Sequence, residues 1–404
     1  MNKKLLQLFL LFVMISQLDA QDRLLTITAK VLDSKGSEPL PFASIYLQGT
    51  TTGTVSNIEG SFVFHIPVEF KKDTIVISMI GYTSVKKAVT DFKENERIAL
   101  DESIFSINEV VITNEKRPTA KEIIKKAYQS IPANYPSEPY ILEGFIRDLQ
   151  NEDSVYVELL ECAIKMRYQS NAVKKVPQIE LVELKQSYVA EKHPWNDQWE
   201  RKNSVIDLVE DDFIRFDYGP IKAKGGWKYE VESVVAYGEK LVYKIKAENK
   251  PFLTAQFFID IESYAFVRID YSRSVHQNKY YKRRLSNGQQ EKSYNLVFEY
   301  QEYNGKWYLK YQKEEDVWEV FQGIESNELI FTKYPKKELF INKVITEALE
   351  EYSFTENLRD SDSVESQAKP FNPEFWRYYN FPAKTKEQSK IEEYLREAEI
   401  ELKE

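Results

Sequence analysis

The chain of 404 residues carries one cysteine, Cys162, and three histidines, His65, His193 and His276. A single thiol rules out an intramolecular disulfide, so stability has to come from buried cores. Cys162 falls in the strand-like "VELLECAIKM" and reads as a small buried hydrophobe. The scarcity of histidine excludes a zinc carboxypeptidase, which needs two His and a Glu with two of the ligands closely spaced. No His is followed two residues on by Glu, and there is no H-E-x-x-H, G-x-S-x-G, P-loop or dinucleotide fingerprint. No metal, cofactor or catalytic residue is expected, and a non-enzymatic protein is the favoured reading. A site made of carboxylates alone stays open, because acidic residues abound and spacing singles out none. Positive charge is also short: the formal net charge is −9, which argues against nucleic acid as a partner.

Long apolar runs are missing beyond the first residues. Lys3 and Lys4 precede an apolar run from Leu5 to Met14, and the polar "SQLDA" then ends in the small residue Ala20. This is the pattern of a signal peptide over residues 1–20, with an apolar run too short to span a bilayer. Its removal takes away Lys3, Lys4 and Asp19, a net +1, and leaves −10. No cysteine follows the apolar run to carry a lipid. The expected destination is outside the inner membrane, in the periplasm or at the outer-membrane surface, with no transmembrane span in the mature chain.

What is abundant is aromatic residues, 14% of the chain, which suit pleated surfaces. From residue 21 to 101, short alternating runs are separated by turns. Ile27, Ala29 and Val31 share one face, as do Ala43, Ile45 and Leu47, then Phe62, Phe64 and Ile66, then Ile75, Ile77 and Met79. Period two with regular turns predicts a small antiparallel β-sandwich. The stretch "LPFASIYLQGTTTGTVSNIEGSFVFHIP" (40–67) carries Gly49, Gly53 and Gly60 where turns need open backbone angles. Asn57 and Glu59 fall far short of the oxygens a calcium loop requires.

Val31, Asp33, Gly36, Pro39 to Ala43, Gly49, Thr50, Gly53, Thr54, Gly60, Phe62, Ile77, Ser78, Gly81 and Tyr82 stand in an order that resembles the carboxypeptidase-like regulatory domain. That family is a transthyretin-like β-sandwich of exported proteins of Bacteroidota, and the resemblance implies a cell-envelope protein. Where the family often has Thr-Asp, this chain has Ser56-Asn57. "INEVVIT" (107–113) resembles the short strand that follows this domain in outer-membrane receptors, but the remaining chain is too short and too charged for a receptor barrel.

Residues 102–137 read as a linker strand and a helix. In "RPTAKEIIKKAYQSIP", Thr119 and Glu122 offer a capping box and Ile123, Ile124, Ala127 and Ile131 one apolar stripe. Residues 138–345 form a second β-rich region of long hairpins, with turns near 151–153, at Asn304-Gly305 and at Asn287-Gly288. Such a series predicts a strongly curved antiparallel sheet or half-barrel. The pattern "VYKI…FFIDIESYAFVRIDY" is loosely similar to the LolA-like half-barrels that carry lipoproteins. Residues 346–404 supply a polar linker (355–370), the aromatic "NPEFWRYYNFP" expected to fold back as a clasp, and a final helix. That helix is capped by Thr385 and Gln388, with Ile391, Leu395, Ala398 and Leu402 on one face. The fold class is therefore mainly β: a sandwich, then a larger curved sheet, with a linking helix and a C-terminal helix.

Two loops are candidate binding segments. Trp195 and Trp199 in "HPWNDQWERKN" are either an aromatic platform for a glycan or partner, or two buried indoles pinning a loop; the second suits the usual burial of tryptophan. Lys279, Tyr280, Lys282, Arg283 and Arg284 make a basic run that either meets lipid phosphates or an acidic glycan, or is a solvated strand end. The leading expectation is a non-enzymatic exported envelope protein that acts as a binding or interaction module for an envelope protein, glycan or lipid. A lipid or lipoprotein carrier with an apolar half-barrel cavity, and a hydrolase with a carboxylate site in the second domain, are the alternatives. They part at the concave face of the second domain: filled, hollow or acidic.

Overall fold

The fold is known from a computed structural model, which describes residues 24–105, 118–172, 174–188, 204–217, 219–223, 225–250, 252–274, 288–323, 325–359 and 363–401. The expected signal peptide and the strand at 107–113 lie outside these residues.

The sandwich forms where alternation predicted it. One sheet holds β1 (Leu24–Asp33), β4 (Ser61–Pro67) and β7 (Glu96–Leu100); the other holds β2 (Ser44–Leu47), β3 (Gly53–Val55), β5 (Thr74–Ser78) and β6 (Val85–Ala88). The expected inward residues, from Ile27 to Ile77, make its core, with Met79 partly buried against it. One pair departs from an antiparallel sandwich: β7 runs parallel to β1, from Ala29↔Glu96 to Asp33↔Leu100. Gly60 has the expected positive φ of 76°, and a Cβ there would also sit 2.4 Å from the Val31 carbonyl oxygen. Gly53 is glycine for another reason than the expected turn angle: a Cβ there would lie 2.6 Å from the Ile45 carbonyl oxygen.

The rest of the strands build one curved 12-stranded antiparallel sheet. It comprises β8 (Ile104–Phe105), β9 (Tyr140–Glu152), β10 (Val155–Tyr168), β11 (Gln178–Tyr188), β12 (Lys228–Tyr237), β13 (Lys240–Glu248), β14 (Leu253–Asp260), β15 (Phe266–Ser274), β16 (Gln289–Tyr303), β17 (Lys306–Phe321), β18 (Leu329–Lys333) and β19 (Lys336–Ile345). Consecutive hairpins run from β12 to β17, and Asn304 and Gly305, with φ of 49° and 71°, make the expected two-residue turn. β19 then enters between β9 and β17, pairing with both.

The concave face is packed by the chain's own helices. α1 (Ala120–Gln129) has both hydrogen bonds of the Thr119–Glu122 capping box and buries Ile123, Ile124 and Ala127. α2 (Ile131–Asn134) follows it. α3 (Ser204–Glu210) and α4 (Phe213–Phe216) lie along the hollow and add Val205, Leu208, Phe213 and Ile214 to the core. Cys162 is fully buried in the same cluster.

The convex face carries the sandwich and the C-terminus. α5 (Pro373–Tyr378) and the residues after it form the expected clasp: Trp376, Tyr379 and Phe381 pack with Phe145 and Phe340 of the large sheet and Val55 of the sandwich. α6 (Lys386–Glu401) has its Thr385–Gln388 capping box and buries Ile391 and Leu395 against Leu159. Beneath it, the buried Arg147 and Glu161 form an ion pair at 2.8 Å. The polar stretch before the clasp is tied to the sheet edge: Asn357 Oδ1 and Leu358 N bond the backbone of Ile179, and Leu358 is buried.

The stretch 40–67 is the seam between the two halves. Thr51 Oγ1 donates to the Val344 carbonyl at 3.0 Å and accepts from its N–H at 2.8 Å. Asn57 Nδ2 donates to the Ala383 carbonyl, and Glu59 accepts from the Lys386 N–H. His65, on the outward face of β4, exchanges both backbone hydrogen bonds with the Asn380 side chain. Phe42 stacks on Tyr311 with ring centres 5.2 Å apart and does so at a φ of 61°, a backbone position costly for a bulky residue.

Candidate functional site

The concave face of the large sheet is filled in the middle, acidic at one end and pocketed at the other. Strand pairing dictates the arrangement. Tyr294↔Asp316, Leu296↔Glu314 and Phe298↔Gln312 are cross-strand partners of β16 and β17, so each pair shares a face. That face is inward, because Phe298 and Leu296 belong to the core and Gln312 donates to the Leu208 carbonyl of α3.

At the acidic end, Lys337 of β19 donates to Glu314 at 3.0 Å and stands opposite Asp148 of β9. Asp148 is buried, accepts from Gln150 through one oxygen, and has no hydrogen-bond partner for the other among the described residues. Arg273 grips Glu291 with two bonds of 2.7 and 2.6 Å and lies over the Tyr294 ring. Tyr294 in turn donates to Asp211 at 2.7 Å. Burial, before the opposing pull of Lys337, pushes Glu314 up to about 7. Burial and then the charge of Glu314 push Asp316 up to about 8. Two carboxyls on alternate residues of one strand, about 7 Å apart at Cα, thus hold proton between them near neutrality and titrate as a pair. Lys337 is held well above 10.5: burial alone would lower it, but Glu314 and Asp148 outweigh that.

At the opposite end, α1, α2 and α4 frame a pocket of about 470 Å³. Ile131, Pro132, Tyr135, Pro136, Ala172 and Ile214 supply apolar walls. Tyr135 is fixed by donating to the Phe266 carbonyl at 2.8 Å. Arg215 lies at its edge, held by the Ser170 and Lys175 carbonyls and stacked 4.3 Å from the Tyr168 ring. Asp217 receives Lys174 at 2.9 Å and Lys222 at 3.0 Å. Burial would raise Asp217, but those two lysines and the Tyr128 hydroxyl bring it down to about 2. The edge therefore carries more positive than negative charge.

Trp195, Trp199, Lys279, Tyr280, Lys282, Arg283 and Arg284 lie outside the described residues. Sequence reasoning missed the carboxylate–lysine cluster and the Arg215 pocket. A signal existed for the first: in "QKEEDVW" Gln312, Glu314, Asp316 and Trp318 alternate with the opposite face, a pattern that reads as solvated until the sheet curls round it. Among the described residues no group of three or more His, Cys, Asp or Glu is placed to hold a metal ion, and no helix is long and apolar enough to cross a membrane.

Residues 27–112 match the CarboxypepD_reg-like domain family, the resemblance expected for the sandwich. A comparison with curated proteins finds no match. Among solved structures, the chain is similar to a LolA superfamily protein from Nitrosomonas europaea, at 9% identity over 59% of this chain and 99% of that one, with a TM-score of 0.21. It is also similar to a domain assigned to outer membrane lipoprotein sorting from Vibrio parahaemolyticus, at 9% identity over 56% of this chain and 92% of that one, TM-score 0.25. A DUF1329 family protein from Desulfovibrio piger is similar at 8% identity over 57% and 95%, TM-score 0.24. At TM-scores of 0.21 to 0.25 these likenesses carry nothing over to this chain.

Proposed function

We propose that the protein is a non-catalytic binding protein of the cell envelope that takes a lipophilic ligand with an anionic end. The observation that carries this reading is the pocket beneath α1 and α2. Its walls are mostly apolar, its volume of about 470 Å³ falls in the range of small-molecule sites, and Arg215 and the Lys174–Asp217–Lys222 group stand at its edge. The ligand's chain would lie along Ile131, Tyr135 and Ile214, with its carboxylate or phosphate toward Arg215 and Lys174. The filled centre of the hollow limits the ligand to the mouth of the half-barrel. Export belongs to the same reading, with the periplasm or outer-membrane surface as its end point. So does a division into residues 21–101, a linker to 137, a β-rich domain to 345, and a C-terminal clasp and helix. The signal-like N-terminus and the type of the sandwich domain support it.

The test is displacement of an environment-sensitive fluorescent fatty acid, with the full mature chain. Binding should be abolished by Ile214→Trp, which fills the pocket, and weakened by Lys174→Glu, which reverses the edge charge. Equal binding of the probe by all three proteins would refute the assignment.

A second reading, hydrolysis by a carboxylate pair, draws on Glu314 and Asp316, of which one would donate and one accept a proton. It requires that nitrophenyl glycosides or esters be cleaved by the parent and not by Glu314→Gln or Asp316→Asn. No cleavage by the parent removes it.

A further inference from the structure

A second cavity, of about 290 Å³, lies in the seam where the sandwich meets the large sheet. We propose that this seam cavity is a binding site for a neutral sugar ring. Its floor is Trp307 and Tyr237, whose rings stack 6.5 Å apart at 24°. Its opposite wall is Tyr46 and Ser78 of the sandwich, and the turn Gln48–Thr50 closes one side.

Three features define the ligand class. First, the charges at the cavity are already matched: Lys86 pairs with Glu239 at 2.5 Å, Lys240 with Glu302 at 3.0 Å, and Lys310 with Glu299 at 2.6 Å. A charged ligand would have to break one of these pairs, whereas an uncharged one need not. Second, two lining side chains hold buried polar atoms without a hydrogen-bond partner among the described residues: Ser84 Oγ on the sandwich and Gln301 Nε2 on the large sheet. Such atoms are costly while they stay unpaired. One is a hydroxyl that donates and accepts, the other an amide that donates. Third, the floor is aromatic and the walls carry hydroxyl and amide groups. A pyranose has this same division, with C–H bonds on its faces and hydroxyls at its rim. The volume sits at the lower bound of small-molecule sites, about 300 Å³, which suits one or two rings. The sugar would bridge the two halves of the chain, since Ser84 and Gln301 come from different ones.

The full chain is titrated calorimetrically and by saturation-transfer NMR with glucose, galactose and mannose, and with linear trisaccharides of each. At least one sugar should bind at millimolar concentration, with no dependence on salt. Gln301→Leu and Ser84→Ala should each weaken it about ten-fold, the effect of one good hydrogen bond, while both variants melt at or above the temperature of the parent. Equal affinity for mono- and trisaccharide assigns the site to a free sugar, and tighter trisaccharide binding assigns it to the end of a glycan chain. Failure of every sugar to bind, or full binding by both variants, overturns the proposal. So does salt-sensitive binding of citrate or inorganic phosphate in the sugars' place.

Discussion

Asp316→Asn should make the protein more stable in alkaline solution and leave it almost unchanged in mild acid. Asp316 shares its face of β17 with Glu314, and burial followed by that neighbour's charge raises it from the ordinary 3.8 to about 8. The folded state then binds more protons than the unfolded state between those two values. Stability is fully present below about pH 4 and is lost as pH rises through about 8. Each pKa step is worth about 1.4 kcal/mol, which sets a ceiling of about 6 kcal/mol for this group. Water reaching the half-buried side chain, and sharing of the proton with Glu314, reduce it to an expected gain of about 2 kcal/mol near pH 9. Asparagine keeps the shape and still meets the Trp318 indole, whose Nε1 donates to Asp316 at 3.4 Å. The assay is urea unfolding from about pH 5 to about pH 9, with tryptophan fluorescence of the folded state followed in parallel. The parent should show a fluorescence change centred between about 7 and about 8, the values to which the pair is raised, and the variant should lose it. An unchanged pH slope, or a variant weaker than the parent at high pH, would show that the pair is not held protonated by burial.

The other expectations are simpler to check. Glu161→Gln should cost about 3–5 kcal/mol, because it leaves Arg147 buried and unpaired. Burial alone would raise Glu161, but Arg147, Lys384 and Lys185 hold it below 4.5, so its contribution is present at neutral pH and disappears in acid denaturation. Thr51→Val should cost about 2 kcal/mol in thermal or urea unfolding, since it strands both backbone groups of Val344, and Thr51→Ser should restore most of the loss. Cys162, pushed above 9.0 by burial, should resist a thiol-reactive dye in the native protein and react fully once unfolded.

The sandwich was legible because its signals are local. Ile27, Phe62 and Ile75 begin runs in which every second residue is apolar, and glycine-bearing turns bound those runs. The caps at Thr119 and Thr385 were legible for the same reason. The half-barrel was legible as a class, from hairpin length and Asn304-Gly305. Its inner face was not, because curvature decides what a polar alternation means. Gln312, Glu314 and Asp316 alternate as a wet strand face would, yet Gln312 meets Leu208 of α3 and Glu314 meets Lys337 of β19. Bulges at Glu291/Ser293 and Glu299/Tyr300 also shift which residues share a face, and no local pattern announces them. Arg215 escaped notice because its partners, the Ser170 and Lys175 carbonyls, are backbone groups about forty positions earlier. The turns of the stretch 40–67 are also the surface on which the two halves dock.

The late position of β19 sets an order of events in folding. β9 and β17 flank it in the sheet, yet it is made after both, and the Thr51–Val344 bonds join residues 293 apart. Until β19 arrives, two long strands present open edges, the geometry most exposed to mispairing between molecules. Closing so distant a seam is slow. Changes within Lys336–Ile345 should therefore act first on refolding yield at high protein concentration, before they register in the stability of molecules already folded.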